Sequence, residues 1–297
     1  MSPVASHTLG VDLAAGEDTT ATCLIDWRTP RPRIEPPLVG RDDDAIVREV
    51  GRARLVGIDA PFGWPEPFRR AVIAHQARRP WPGRGEPLEA FRQELRLRRT
   101  DIVVKEEVGV TPLSVSSDKI GVTAFRRALL LDRLRQKRYR IERSGLCGRV
   151  VEVYPAAALK QWELLPRKSY KAEEAFEERI AILRGLGERL GFRFPTRVTE
   201  RCAQSDHALD ALVAAIVTRA AALGWSRRPW TTHDRKLSER EGWIHFPHAA
   251  CGRELTTGER GPASAGEWDA TGERRRAPVK GRRPRRNPGR SADAIGE

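Results

Sequence analysis

The stretch Leu9-Gly10-Val11-Asp12-Leu13-Ala14 places a single aspartate among apolar residues near the start of the chain. Such a run predicts a buried β-strand. An isolated carboxylate inside a buried strand is costly unless it is paired or binds a cation. We therefore expect Asp12 to lie at the end of a central strand, in a cleft where other carboxylates meet it. Alternatively, the Asp12 carboxylate has a structural role and accepts a hydrogen bond from a backbone amide at the strand end.

Further apolar runs extend this strand into a sheet. Residues 21–27 follow a polar turn and predict a hairpin with the first strand. Residues 54–60 follow a helical segment, so we expect a second buried strand that runs parallel to the first and ends in Asp59. Residues 149–154 predict a third buried strand, which carries Glu152.

The most apolar helix is predicted for residues 205–223. Asp206 and Asp210 are one helical turn apart and share a face, which continues into Val213 and therefore points inward. Asp210 needs a cationic partner there. Asp206 has an ordinary alternative, because acidic residues are common at helix N-termini. His207 could assist catalysis, but its place at a helix start favours a surface role.

Five acidic residues thus occupy positions where acids are costly, and we treat them all as candidate catalytic residues: Asp12, Asp59, Glu152, Asp206 and Asp210. Hard oxygen ligands suit Mg²⁺ or Mn²⁺, and we expect the four aspartates to bind such ions. Two ions about 4 Å apart can bind the attacking and leaving oxygens of a phosphodiester. Ordinary roles stay open for two further acids: Asp59 could form an Asx-turn, and Glu152 could pair with an arginine. The candidate phosphate contacts are Arg98, Arg99, Lys168 and Lys171.

The composition of the chain indicates a polyanionic partner. Its 297 residues include 54 Lys and Arg against 40 Asp and Glu, a formal net charge of +14. Such a charge attracts nucleic acid, although general solubility is an equally good explanation. The four cysteines lack metal-binding spacing and favour a reducing compartment without a disulfide-linked partner. Since no apolar segment is long enough for a bilayer, we expect a cytoplasmic protein without a membrane partner. The oligomeric state is left open.

The chain divides into a folded part and a tail. We expect one domain over residues 1–250, with a large helical insertion at about 66–148. Apolar residues become rare in residues 251–297, which predicts a disordered basic tail that either binds a nucleic-acid backbone or has no binding role. The acidic run at residues 42–44 is interpreted as a helix cap rather than a metal cluster.

Four short motifs occur in a characteristic order: Gly10-Val11-Asp12, Ile58-Asp59-Ala60-Pro61, Glu152-Val153-Tyr154-Pro155 and Asp206-His207-Ala208-Leu209-Asp210-Ala211-Leu212. They resemble domain-of-unknown-function family 429, the predicted RNase H-like nucleases, over most of residues 8–248. The resemblance implies an α/β ribonuclease H-like fold, in which helices flank a mixed five-stranded sheet whose first three strands are antiparallel. It also implies that Asp12, Asp59 and either Asp206 or Asp210 are the acids of the site.

A metal-dependent nuclease or related phosphodiester hydrolase is the leading functional hypothesis. A nucleotide phosphotransferase or ATPase of the actin and sugar-kinase superfamily is the first alternative, because residues 10–16 faintly resemble its phosphate loop. The second alternative is a non-catalytic nucleic-acid-binding protein on the same fold.

Overall fold

A mixed β-sheet lies at the centre of the chain, which is described by a computed structural model over residues 6–29, 31–116 and 118–262. Its strands in these ranges are β1 (His7–Asp12), β2 (Ala21–Asp26), β3 (Arg33–Ile34), β4 (Leu38–Val39), β5 (Leu55–Asp59), β6 (Val150–Val153) and β7 (Ile244–His245). The spatial order is β3-β2-β1-β5-β6-β7, and β4 also pairs with β2. Strand β2 is antiparallel to β1, β3 and β4, whereas β5, β6 and β7 continue the sheet in parallel from β1. The predicted antiparallel start and the parallel β1–β5 pair are therefore confirmed.

The sheet has seven strand segments over the described ranges, not the five that were expected. Ile34 of β3 pairs with Ile25, and Leu38 of β4 pairs with Thr22, so both segments lie along β2. Prolines at positions 36 and 37 separate them, because proline has no N–H to donate to a strand ladder. The seventh segment, β7, is a short parallel addition beside β6.

Helices cover both faces of the sheet. In the described ranges they are α1 (Asp43–Arg52), α2 (Glu66–Gln76), α3 (Leu88–Arg96), α4 (Arg99–Val108), α5 (Asp118–Gln136), α6 (Pro155–Gln161), α7 (Phe176–Leu190), α8 (Thr196–Gln204), α9 (Asp206–Leu223), α10 (Thr232–Glu241) and α11 (Arg253–Thr257). Helix α9 packs on one face together with α6, α7 and α8, while α1 and α5 contribute to the core on the other face. Helices α2 to α5 fill the interval between β5 and β6.

The helix start at residues 42–44 supports the capping interpretation. Asp42 is the N-cap of α1, and its side chain accepts a hydrogen bond from the backbone N–H of Ala45 at 2.6 Å. Asp43 and Asp44 lie in the first turn, where negative charge suits the helix dipole, and they form ion pairs with arginines of α5.

Two paired glycines allow α9 to lie directly on the sheet. Gly10 of β1 and Gly57 of β5 are register partners in the parallel ladder. A Cβ atom on Gly10 would lie 2.0 Å from the carbonyl oxygen of Ala211 in α9. Because side chains alternate along a strand, the residues two positions further on, Asp12 and Asp59, lie on this same face. The glycines thus bring α9 close to both aspartates.

The fold continues beyond residue 250, where the tail was expected to begin. Cys251 and Leu255 are fully buried, and α11 packs against α7 and α9. The backbone N–H of Gly261 donates to the carbonyl oxygen of Leu223 at 2.8 Å. The most basic part of the expected tail, residues 274–290, lies outside the described residues.

All four cysteines are free thiols: Cys23, Cys147, Cys202 and Cys251. Within the described ranges, none of the helices combines the length and apolar character that a bilayer crossing needs.

Candidate metal centre

Three aspartates from distant parts of the sequence meet at the carboxyl ends of β1 and β5. Asp12 and Asp59 are the last residues of these strands and are register partners. Asp210 comes from the beginning of α9 and is fully buried. One carboxylate oxygen from each residue lies within 4.8 Å of the other two. This cluster could hold a metal ion, and it includes three of the four aspartates that the sequence indicated as ligands.

The electrostatics of the aspartate cluster are unfavourable without a cation. Burial and the neighbouring charge of Asp12 raise the pKa of Asp59 well above its usual value. Burial also raises the pKa of Asp210 to about 6, although Lys171 opposes this shift. Among the described residues, the Asp59 carboxylate has no hydrogen-bond or ion-pair partner. The cluster therefore carries negative charge that a bound cation would stabilise.

Tyr170 and Lys171 contact the two oxygens of Asp210. The Tyr170 hydroxyl donates to Oδ1 at 2.9 Å, and Lys171 Nζ lies 2.7 Å from Oδ2. Desolvation favours neutral Lys171, but the charges of Asp210, Asp59 and Asp12 outweigh it and raise the pKa of the ammonium. Lys171 is thus the cationic partner that the apolar surroundings of Asp210 require.

The loop that carries these two residues is held by a buried arginine, Arg179 of α7. Its guanidinium donates to four main-chain carbonyls, those of Tyr170, Ala172, Glu173 and Ala203. Arg179 is 2% exposed. One side chain therefore connects the loop to the end of α8, immediately before the N-cap of α9.

His207 contacts the aspartate cluster from the first turn of α9. Its Nδ1 lies 2.8 Å from Asp12 Oδ2, and the pKa of the imidazole is raised, mainly by this hydrogen bond. The sequence signal was present, since His207 and Asp210 are three residues apart and share a helix face. A surface role is more common for a histidine at a helix start, and it was the favoured expectation for His207. Asp206 lies outside the three-aspartate cluster, with Oδ1 3.9 Å from His207 Nε2.

Glu152 forms an ion pair in the wall of the site. Both of its oxygens accept hydrogen bonds from Arg98, at 2.7 and 2.9 Å, and one also accepts from the backbone N–H of Phe62. Arg98 is 2% exposed and also binds Asp101. Burial nevertheless raises the pKa of Glu152. The alternative expected for Glu152, an ion pair with an arginine, is therefore present. Arg98, a candidate phosphate contact, is instead bound by the carboxylates of Glu152 and Asp101.

The other candidate phosphate contacts differ in their surroundings. Arg99 pairs with Asp234 at 2.8 Å, and its backbone N–H donates to Glu241. Lys168 is exposed and has no ion-pair partner within the described ranges. Lys171 contacts the aspartate cluster as described above.

A cavity of about 540 Å³ opens beside the aspartate cluster. Asp12, Asp59, Lys171 and His207 contribute polar groups to its lining, while residues between β5 and β6 supply an apolar part that includes Leu113. Charged groups in a concave site with altered pKa values are typical of a functional centre. A molecule bound in this cavity would lie within reach of the carboxylates.

The fold and site together define a mixed α/β protein with a three-aspartate centre at the carboxyl ends of two parallel strands. The family described as "Protein of unknown function (DUF429)" matches residues 10–234, and the chain belongs to this family. The match includes all three aspartates as well as Tyr170, Lys171 and His207. No curated protein and no solved structure shows detectable similarity to the chain.

Proposed function

We propose that the protein is a metal-dependent phosphodiester hydrolase that cleaves nucleic acid on a ribonuclease H-like fold. Support for the fold comes from the strand arrangement, in which three antiparallel strand positions lead into β5 and β6, which continue the sheet in parallel from β1. Strands β3 and β4 both pair with β2, and together they occupy the third antiparallel position. Strand β7 and the helices between β5 and β6 are additions to that minimal arrangement.

The observation that carries the proposal is the meeting of Asp12, Asp59 and Asp210 within 4.8 Å. Such an all-carboxylate set suits Mg²⁺ or Mn²⁺, because hard cations prefer oxygen ligands. When bound, such an ion supplies Lewis-acid stabilisation of a phosphoryl oxygen and lowers the pKa of a coordinated water. The residues present fit this group, since Asp59 has no other partner among the described residues.

The chain's own residues would orient both the aspartates and the substrate. His207 and Lys171 each contact a different aspartate and so restrict the rotation of its carboxylate. The net charge of +14 attracts a polyanion, and a bound cation would offset its repulsion by the aspartate cluster. Exposed Lys168 lies three residues before Lys171 and is available for a phosphate contact.

A cleavage assay tests the proposal. Labelled single-stranded, duplex, hybrid and branched nucleic acids are incubated with the full chain and Mg²⁺ or Mn²⁺. Substitutions Asp12→Asn, Asp59→Asn and Asp210→Asn are expected to reduce cleavage at least about 100-fold, because each removes a charged ligand. Asp44→Asn, at an exposed acid of α1, is the matched control and keeps the wild-type rate. Asp206→Asn measures the role of the acid one helical turn before Asp210.

Two results would contradict the proposal. Equal cleavage by the wild type and the Asp12→Asn and Asp210→Asn variants would show that the aspartate cluster is not the catalytic site. Salt-sensitive binding of all four nucleic acids without turnover would instead indicate a non-catalytic binding protein.

A further inference from the structure

We propose that Lys171 is a built-in counter-cation of the aspartate cluster, so that the cluster binds one divalent ion rather than two in the absence of substrate. The inference rests on the metal centre of the proposed function and specifies how many ions that centre accepts.

The contacts of Asp210 are the first support. Its two oxygens already have protein partners, the Tyr170 hydroxyl at 2.9 Å and Lys171 Nζ at 2.7 Å. Asp210 is fully buried, whereas about half of the Lys171 side-chain surface is exposed. The ammonium therefore lies between the buried carboxylate and solvent, at a position where a second cation would otherwise compensate Asp210.

Charge balance is the second support. Carboxylates bind a metal ion in their deprotonated form, so the three ligating aspartates carry three negative charges, and Lys171 supplies one positive charge. One divalent ion then makes the cluster neutral, whereas two ions leave a net charge of plus two. Unbalanced charge is costly in a buried site. Asp59, which has no other partner in the described part of the chain, offers a free ligand for the single ion.

The fixed position of Lys171 is the third support. Arg179 Nη1 donates to the carbonyls of both neighbours of Lys171, at 2.9 Å to Tyr170 and 2.8 Å to Ala172. The main chain is thus held on each side of the lysine. Because its main chain is fixed, the Lys171 ammonium stays close to Asp210. It therefore has a high effective concentration there and competes with a second metal ion for this carboxylate.

Counting bound Mn²⁺ on the full chain by calorimetry and electron paramagnetic resonance tests the inference. The wild type is expected to bind one Mn²⁺. Lys171→Met removes the competing charge, and it is expected to bind the first Mn²⁺ at least about tenfold more tightly and to accept a second. Lys171→Arg keeps the positive charge and is expected to bind one Mn²⁺ ion, as the wild type does. Lys160→Met, at an exposed lysine of α6, is the matched control and binds Mn²⁺ like the wild type.

Folding of the variants is measured in EDTA by thermal unfolding. Lys171→Met is expected to unfold at a lower temperature than the wild type and to recover when Mn²⁺ is added. The double variant Asp59→Asn with Lys171→Met loses one charge of each sign, and it is expected to be more stable in EDTA than Lys171→Met alone. No recovery with Mn²⁺ and no rescue in the double variant would contradict the counter-cation role.

The ion count is independent of cleavage, so the two proposals can fail separately. Two Mn²⁺ ions on the wild type, or unchanged Mn²⁺ affinity in Lys171→Met, would overturn this inference even if nucleic acid is cleaved. One ion without cleavage would support the inference and contradict the nuclease proposal. Absence of Mn²⁺ binding in both the wild type and Lys171→Met would contradict both.

Discussion

Replacement of Gly10 by alanine tests how the fold builds the candidate metal centre. The new Cβ would lie 2.0 Å from the carbonyl oxygen of Ala211 and 2.3 Å from the backbone nitrogen of Ala215. A carbon–oxygen contact needs about 3.3 Å, so α9 has to move away from the sheet by about 1 Å. Both obstacles are main-chain atoms of a buried helix, and a change of side-chain rotamer cannot relieve them.

We expect Gly10→Ala to lower the free energy of unfolding by about 3 kcal/mol, at the upper end of the usual overpacking cost. With a slope of about 2–3 kcal/mol per M urea, the unfolding midpoint falls by about 1 M. Movement of α9 also carries Asp210 away from Asp12, so Mn²⁺ affinity is expected to fall together with stability.

Urea unfolding followed by tryptophan fluorescence measures the first effect, and Mn²⁺ calorimetry measures the second. Gly16→Ala is the control, because a Cβ at Gly16 meets nothing within 4 Å. Equal midpoints and equal slopes for the wild type and Gly10→Ala would refute the close-packing argument.

Three further predictions concern stability. Arg98→Met leaves two buried carboxylates without their cation and is expected to cost about 3–5 kcal/mol in urea unfolding, part of which Glu152→Gln restores in the double variant. Burial lowers the pKa of His245 to about 4, against 6.5 in an unfolded chain. Between these values the unfolded chain binds the extra proton, so the free energy of unfolding falls by up to about 3 kcal/mol as the pH decreases from 6.5 to 4. Asp42→Ala removes the N-cap of α1 and is expected to cost about 1 kcal/mol.

Each of these predictions has an outcome that contradicts it. The ion-pair prediction is wrong if the double variant Arg98→Met with Glu152→Gln is no more stable than Arg98→Met alone. For His245, the contradicting outcome is a His245→Gln variant that loses as much stability as the wild type over the same pH range, since the other acids titrate equally in both proteins. For Asp42, it is an unfolding midpoint that does not change.

The residues that meet at the centre were accessible from the sequence because each lies in an apolar context. Asp12 and Asp59 end apolar strands, and Asp210 lies inside the most apolar helix. Their partners were harder to identify. Arg98 and Glu152 are 54 positions apart, and a chain with 54 Lys and Arg offers many candidates for any one acid. Only tertiary structure selects among them.

Two helices that the sequence did not predict, α10 and α11, have little apolar periodicity. Helix α10 has the sequence THDRKLSERE, in which Leu237 is the only strongly apolar residue. Thr231 caps its start, because its hydroxyl oxygen accepts a hydrogen bond from the backbone N–H of Asp234. In the five-residue helix α11, Leu255 is the one buried residue. Short polar helices of this kind are stabilised by caps and neighbouring elements, so a periodicity argument gives them no signal.

Among the described residues, the hydrogen bonds of Arg179 go to main-chain oxygens. The shape of the loop therefore depends on where its peptide groups lie and not on which side chains they carry. Most side chains of the loop are consequently free to differ without displacing Tyr170 or Lys171. Redesign of substrate preference could begin in this loop, with Arg179 and the two Asp210 contacts left intact.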